Sequence, residues 1–312
     1  MKIGIVGTGA MGCVYAALFG DAGNEVWAVD SWAEHVAAMA ENGLTLEGAS
    51  GTRTVRLNAT TDPTAAGPCD LVIIATKAMD VVAAAEAARA MLAPDTTVLT
   101  IQNGLGSAAK VAAALGAERV VLGVLGGFGA SIVAPGKAHH NGMELVRLGE
   151  MNRPVSERVE SLADLWRGAG FTVKCFDDMD QLVWEKLICN CAFSASSALT
   201  GWTVGEIIAD SDAWSVASNC ALEAYLVARA SNIRLDIDDP ISYVRDFGAK
   251  IPHARPSMLL DHMAGRRSEI DAINGAIPLA AARVGEKAPV NETVSALVRA
   301  KENKFISATG HE

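Results

Sequence analysis

Directly behind the apolar run Lys2-Ile3-Gly4-Ile5-Val6, the chain reads Gly7-Thr8-Gly9-Ala10-Met11-Gly12 and continues with helical periodicity to about Ala22. An apolar run of this kind is a buried parallel strand. Strand, G-x-G-x-x-G turn and helix in that order admit few folds. Gly7 permits the tight turn, Gly9 has no Cβ to hold a phosphate away from the backbone, and Gly12 lets the helix pack closely on the sheet. The first-turn N–H groups and the positive end of the helix dipole then face any anion lying over the turn. A second apolar stretch, Glu25-Val26-Trp27-Ala28-Val29, ends at Asp30. An acid about 20 residues past the glycines is the group that reads the ribose hydroxyls of an adenosine. Gly7, Thr8, Gly9, Ala10, Met11, Gly12 and Asp30 therefore form a candidate dinucleotide site. The plain alternative is a tight turn in an unrelated α/β protein.

Strand and helix patterns alternate through the first half, with strands expected near 2–7, 24–29, 70–75, 97–102 and 119–125 and helices near 10–22, 32–42, 78–92, 106–115 and 154–169. Such alternation predicts a doubly wound parallel sheet covered on both faces, the Rossmann arrangement. Gly43-Leu44-Thr45-Leu46-Glu47 and Thr54-Val55-Arg56-Leu57 flank Gly48-Ala49-Ser50-Gly51, which predicts a hairpin insertion. A second hairpin-like stretch runs from Gly136 to Met143 and leads into Leu145-Val146-Arg147-Leu148-Gly149. After Thr172-Val173-Lys174-Cys175 only helical patterns and short loops follow, opened by Asp177, Asp178 and Asp180. The expected division is a dinucleotide-binding Rossmann domain over 1–177 and an all-helical substrate and catalytic domain over 178–312.

Composition narrows the functional classes. At 312 residues, 50% hydrophobic and 20% charged, the chain can build two packed cores and is not a disordered one. A net charge of −10 without a basic cluster argues against a nucleic-acid face. No apolar run reaches the ~18 residues of a membrane span, and the N-terminus enters a strand at once, so neither a membrane anchor nor a signal peptide is expected and the cytoplasm is the expected compartment. Cysteines at 13, 69, 175, 189, 191 and 220 form no C-x-x-C pair and read as reduced thiols. His139 and His140 would point to opposite faces of a strand, so no metal site is expected there.

The second half carries residues suited to chemistry. On the mostly apolar helix expected over 181–199, Lys186, Asn190, Ser194 and Ser197 follow one another at helical spacing and form one polar stripe. Such a stripe faces either solvent or a polar cavity. In a cavity, a partly desolvated lysine would have a lowered pKa and could act as a general acid toward a carbonyl oxygen receiving a hydride. Ser257 follows Pro256 and could merely cap a helix, and Ser268-x-x-Asp271 has the form of a capping box with Glu269 in the first turn. Asn103, in Thr100-Ile101-Gln102-Asn103-Gly104, and Lys77, after Leu71-Val72-Ile73-Ile74-Ala75-Thr76, stand at carboxyl ends of strands, where open α/β sheets bind ligands. An exposed lysine at a helix start is the alternative for Lys77.

Taken in order, these pieces resemble the ketopantoate reductase family, the 2-dehydropantoate 2-reductases, along nearly the whole chain. The resemblance rests on Gly7-x-Gly9-x-x-Gly12, Thr76-Lys77, Gln102-Asn103-Gly104, Pro135-Gly136, Trp184-Glu185-Lys186-Leu187-x-x-Asn190, Ala198-Leu199-Thr200-Gly201 and Ser257-Met258-x-x-Asp261 through Glu269-Ile270-Asp271-x-x-Asn274-Gly275. It implies a Rossmann domain followed by an all-helical domain of the 6-phosphogluconate dehydrogenase type. It also implies NAD(P)H-dependent reduction of a small 2-oxo acid to a 2-hydroxy acid, as in pantothenate biosynthesis. Lys186 would then be the general acid and Asn103 would lie beside the nicotinamide and the reacting carbonyl. Asn190, Ser194 and Ser257 would hold substrate. Glu269 would bind the substrate's polar end or orient Lys186, and Lys77, Asn103 and Glu269 would also contact the cofactor.

Two departures from the family pattern matter. Asp30 is followed by Ser31 where NADP users of the family typically carry an arginine, and a carboxylate there repels a 2′-phosphate, which favours NAD. Ser194 stands where many members have asparagine, which suits a different 2-oxo acid, as in the D-2-hydroxyacid dehydrogenases of the family. The other readings are a non-catalytic dinucleotide sensor, which would not need a proton donor such as Lys186, and an opine or sugar-phosphate dehydrogenase, for which Arg255, Arg266 and Arg267 would supply an anion pocket. A homodimer is compatible with this fold group.

Overall fold

The computed structural model describes residues 1–127, 129–142, 144–151 and 153–309. They form two compact units, one of residues 1–102 and 107–179, the other of residues 103–106 and 180 onward. The division therefore falls two residues beyond the one expected, and a four-residue segment of the first half belongs with the second unit.

The first unit holds β1 (Lys2–Val6), β2 (Glu25–Val29), β3 (Leu44–Gly48), β4 (Arg53–Val55), β5 (Asn58–Thr60), β6 (Cys69–Ile74), β7 (Leu92–Thr100), β8 (Val120–Gly126), β9 (Gly129–Ala134), β10 (Lys137–Gly142), β11 (Leu145–Glu150) and β12 (Val173–Cys175). Its helices are α1 (Ala10–Asp21), α2 (Ala33–Asn42), α3 (Val81–Ala88), α4 (Ser107–Leu115) and α5 (Glu157–Gly168). The main sheet has the order β12-β11-β8-β7-β6-β1-β2-β5. It is parallel throughout except for the antiparallel pairing of β8 with β11. In register, Ile3 lies between Val26 and Leu71, and Val6 between Val29 and Ile74. The period-2 alternation of strands then separates two cores. Ile3, Ile5, Leu71, Ile73 and Leu99 pack with α1 on one face, and Val6, Val72, Ile74 and Val98 pack with α3 and α4 on the other.

The two hairpin-like stretches form one structure. β3 pairs with β4, β9 with β10, and β3 with β10 in parallel, giving a separate sheet of order β4-β3-β10-β9. The stretch after Gly136 thus pairs with β9 and β3; Met143 lies outside the described residues. This small sheet packs on α1, which also packs on the main sheet. Cys13 to Phe19 are accordingly all buried, and a helix apolar on every side is what a position between two sheets demands. Tyr15 and Phe19 meet Trp166 of α5 edge-on at ring-centroid distances of 5.2 and 5.0 Å, which closes the core on the α5 side. His139 lies near Glu47 on one face of β10, while His140 is buried on the other and pairs with Ser50 Oγ at 3.0 Å.

The second unit contains α6 (Met179–Thr200), α7 (Val204–Ala209), α8 (Ser211–Ala230), α9 (Pro240–Ala249), α10 (Ser257–Met263), α11 (Ala276–Val284) and α12 (Pro289–Thr309). α6 runs through its core, with Trp184, Leu187, Ile188, Cys191, Ala192, Phe193, Ala195 and Ala198 buried among side chains of α8 and α11. All six cysteines of the protein are unpaired. Among the described residues, no helix is long and apolar enough to cross a membrane.

Candidate active site

In the first unit, each glycine of the Gly7–Gly12 turn meets a different constraint. Gly7 has φ +91°, and a Cβ there would stand 2.7 Å from the backbone nitrogen of Thr76. A Cβ on Gly12 would collide with the carbonyl oxygen of Gly7. At Gly9, the N-cap of α1, a Cβ would meet nothing within 4 Å, and no side chain caps the helix. Gly7 and Gly12 thus serve the packing of strand on helix. Gly9 leaves an open approach to the first-turn N–H groups, the arrangement a pyrophosphate requires. Thr8 is buried and its hydroxyl donates to Asp30 Oδ2 at 3.4 Å. Asp30 is half-buried at the end of β2, and its Oδ1 accepts from the Trp32 N–H at 3.0 Å. Each carboxylate oxygen has two lone pairs, so both retain capacity for ribose hydroxyls. Lys77 is half-buried in the loop between β6 and α3. These residues fit a nicotinamide dinucleotide.

The sequence did not single out the groups that hold this turn in place. His35 of α2 is fully buried. Its Nε2–H donates to the carbonyl of Thr8 at 3.0 Å, while Nδ1 accepts the N–H of Gly136 at 3.0 Å. That pairing fixes the neutral tautomer with its proton on Nε2. Burial holds the pKa of His35 below the usual histidine range, against the Asp30 charge and the Thr8 carbonyl, which favour the charged ring. The Cys13 thiol, pushed up by burial, donates to the same carbonyl at 3.0 Å. The Thr8 carbonyl is thereby turned inward, and the small sheet is tied to the turn through Gly136. In sequence His35 sits on the apolar face of α2 beside Val36 and Met39, where it reads as an ordinary core position. Gln102 has a similar bracing role, since its amide donates to the carbonyls of Ile74 and Thr76 at 2.6 and 3.1 Å and fixes the carboxyl ends of β6 and β7.

The second unit gathers three of the expected catalytic residues. Lys186 Nζ donates to Asn103 Oδ1 at 2.8 Å, and Asn103 Nδ2 donates to Glu269 Oε2 at 3.2 Å. A lysine only donates and a carboxylate only accepts, so the Asn103 amide has one orientation that satisfies both. Lys186 comes from α6, Asn103 from the 103–106 segment and Glu269 from the turns ahead of α11. The segment is seated by the Leu105 N–H, which donates to the Ala272 carbonyl at 2.8 Å. Gly104, at φ +80°, permits that approach, because a Cβ there would strike the same carbonyl.

Ser268 and Asp271 do not form the expected capping box. Residues 269–275 are a run of turns and α11 begins only at Ala276. The Ser268 N–H and Oγ–H both donate to the buried Glu302 of α12, at 2.8 and 2.5 Å, and Asp271 pairs with Arg299 at 2.8 Å. Glu269 is therefore held by anchors on α12, and not by a helix N-terminus. Ser257 is the first residue of α10 and exposed; its N-cap is Pro256. Along α6, Lys186 and Asn190 are half-buried, whereas Ser194 and Ser197 are 3% and 0% exposed, so the polar stripe turns inward and not to solvent. The enclosure of Ser194 speaks against its expected role as a direct substrate ligand.

The family model "Ketopantoate reductase PanE/ApbA" matches residues 3–153, and "Ketopantoate reductase PanE/ApbA C terminal" matches residues 178–302. A 2-dehydropantoate 2-reductase of Streptococcus pyogenes is 30% identical over 303 residues, 97% of this chain and 98% of the relative. The crystal structure of a PanE/ApbA family ketopantoate reductase from Ralstonia eutropha superposes with a TM-score of 0.90 at 32% identity, covering 98% of this chain and 99% of that one. A ternary structure of D-mandelate dehydrogenase with NADH and anilino(oxo)acetate superposes with a TM-score of 0.88 at 26% identity, with the same coverage of 98% and 99%. The chain belongs to the ketopantoate reductase family and is an oxidoreductase that uses a nicotinamide dinucleotide.

Proposed function

We propose that the protein reduces a 2-oxo acid to the corresponding 2-hydroxy acid with NADH, and that Lys186 is the general acid. The hydrogen-bonded series Lys186–Asn103–Glu269 carries this reading. The nicotinamide cofactor supplies the hydride when bound. Lys186 directs an N–H at the substrate carbonyl oxygen and transfers its proton there as negative charge develops. Asn103 holds the lysine head through Oδ1, and Glu269 fixes the amide through Nδ2, so the donor is oriented before substrate arrives. Asn190, one turn along α6 from Lys186, and Ser257 supply polar contacts to the substrate. Asp30, Thr8 and the first turn of α1 hold the adenosine and pyrophosphate, with Lys77 at the neighbouring strand end.

NADH is favoured over NADPH because the Asp30 carboxylate would face a 2′-phosphate, and Ser31 offers no cation to offset it. Relatives named 2-dehydropantoate 2-reductase support ketopantoate as the substrate. A second reading, a dehydrogenase for another 2-hydroxy acid, is favoured by the similarity to D-mandelate dehydrogenase. Cofactor oxidation with ketopantoate and with aryl and alkyl 2-oxo acids, each with NADH and NADPH, separates the two. Lys186→Ala should lower turnover ~10²–10⁴-fold while leaving NADH affinity nearly unchanged. Near-normal turnover in that variant would remove Lys186 from the mechanism.

A further inference from the structure

Trp32 sits where helix energetics do not call for it. It is the N-cap of α2, a position that favours Ser, Thr, Asp or Asn, and its side chain caps nothing. Trp32 is 42% exposed, yet one face of its indole is covered, because it stacks on the His35 ring with centroids 4.9 Å apart and planes inclined by 10°. His35 is locked by its bonds to Thr8 and Gly136, so the indole rests on a fixed base. The Trp32 backbone N–H also donates to the Asp30 carboxylate at 3.0 Å.

The chemistry of an adenosine makes this position informative. The base leaves the ribose at C1′, the carbon next to the one whose hydroxyl Asp30 reads, so the adenine must emerge within a few ångströms of that carboxylate. We infer that the open face of Trp32 is the surface on which the cofactor's adenine stacks, with His35 as the positioning residue that holds the indole. This rests on the nicotinamide dinucleotide assignment and adds the residue that recognises the base. A flat aromatic face accepts any purine by stacking, so the contact adds affinity for the adenosine half and none for the nicotinamide half.

Calorimetric titration with ADP-ribose, which carries the adenosine and pyrophosphate without nicotinamide, tests the assignment apart from catalysis. Trp32→Leu should weaken ADP-ribose binding about tenfold, within a range of ~5–150-fold for loss of one base–aromatic stack. Trp32→Phe should stay within roughly threefold, because it keeps an aromatic face. Should Trp32→Leu fail to fold, Trp32→Phe still decides: quenching of tryptophan emission by ADP-ribose should lose most of its amplitude. Unchanged affinity in Trp32→Leu, or unchanged quenching in Trp32→Phe, overturns the assignment while NADH binding and turnover leave the reductase reading intact. A wild-type protein that bound no NADH would instead overturn the reductase reading.

Discussion

Replacing Asn103 by Leu removes both hydrogen bonds of the Lys186–Asn103–Glu269 series while keeping the same branched heavy-atom skeleton. Both bonds involve an ionised partner, at 2.8 and 3.2 Å, and both lie in a half-buried setting. Charge-assisted bonds contribute roughly 1.5–3 kcal/mol each, and partial exposure argues for the lower figure. A loss of about 3 kcal/mol in transition-state orientation corresponds to roughly a 150-fold fall in kcat/KM. Asn103→Asp is the sharper probe. It keeps an acceptor for Lys186 but sets a second carboxylate about 3.2 Å from Glu269 Oε2. Two charges at that distance repel by about 5 kcal/mol at an effective dielectric constant near 20. One carboxyl must then take up a proton well above the usual carboxylate range, and the resulting O–H restores the bond to the other. Steady-state kcat/KM measured from pH 5 to 9 should therefore be highest for Asn103→Asp at the acid end and fall as that shared proton leaves. An Asn103→Leu rate within threefold of wild type, or a wild-type pH profile for Asn103→Asp, would refute the orienting role.

Two further outcomes follow from the first unit. Asp30→Ala combined with Ser31→Arg should shift the ratio of kcat/KM for NADPH over NADH upward by at least tenfold, and an unmoved ratio would take Asp30 out of the cofactor site. His35 and His140 are both held below the usual histidine pKa, chiefly by burial, so the folded protein binds fewer protons than the unfolded chain, whose histidines titrate near 6.5. Their contribution to stability is complete above that value and is lost as pH falls through it toward their folded pKa values, at no more than about 1.4 kcal/mol per pH unit for each group. Urea midpoints should drop between pH 7 and pH 5, before carboxylates such as Glu150 titrate, and His140→Gln should lessen the drop; equal midpoints at the two pH values would contradict this sign.

The sequence alone determined the Rossmann order of the first half, the glycine turn between β1 and α1 and the helical character after residue 178, because each is a local pattern. A buried parallel strand must be apolar, a tight phosphate turn must be glycine, and an amphipathic or buried helix must repeat near 3.6 residues. It also indicated Lys186, Asn103 and Glu269 one at a time. Only the tertiary structure joined them, since Asn103 lies 83 residues before Lys186 and 166 before Glu269. The same holds for the pairing of β3 with β10, which builds the small sheet over α1 and brings Gly136 to His35. The Ser268 motif misled for a related reason: its hydroxyl found a buried carboxylate 34 residues away on α12, a stronger partner than the backbone N–H groups of its own turn. Local propensity fixes what a segment can form, while which distant donor meets which acceptor depends on how packed elements cross.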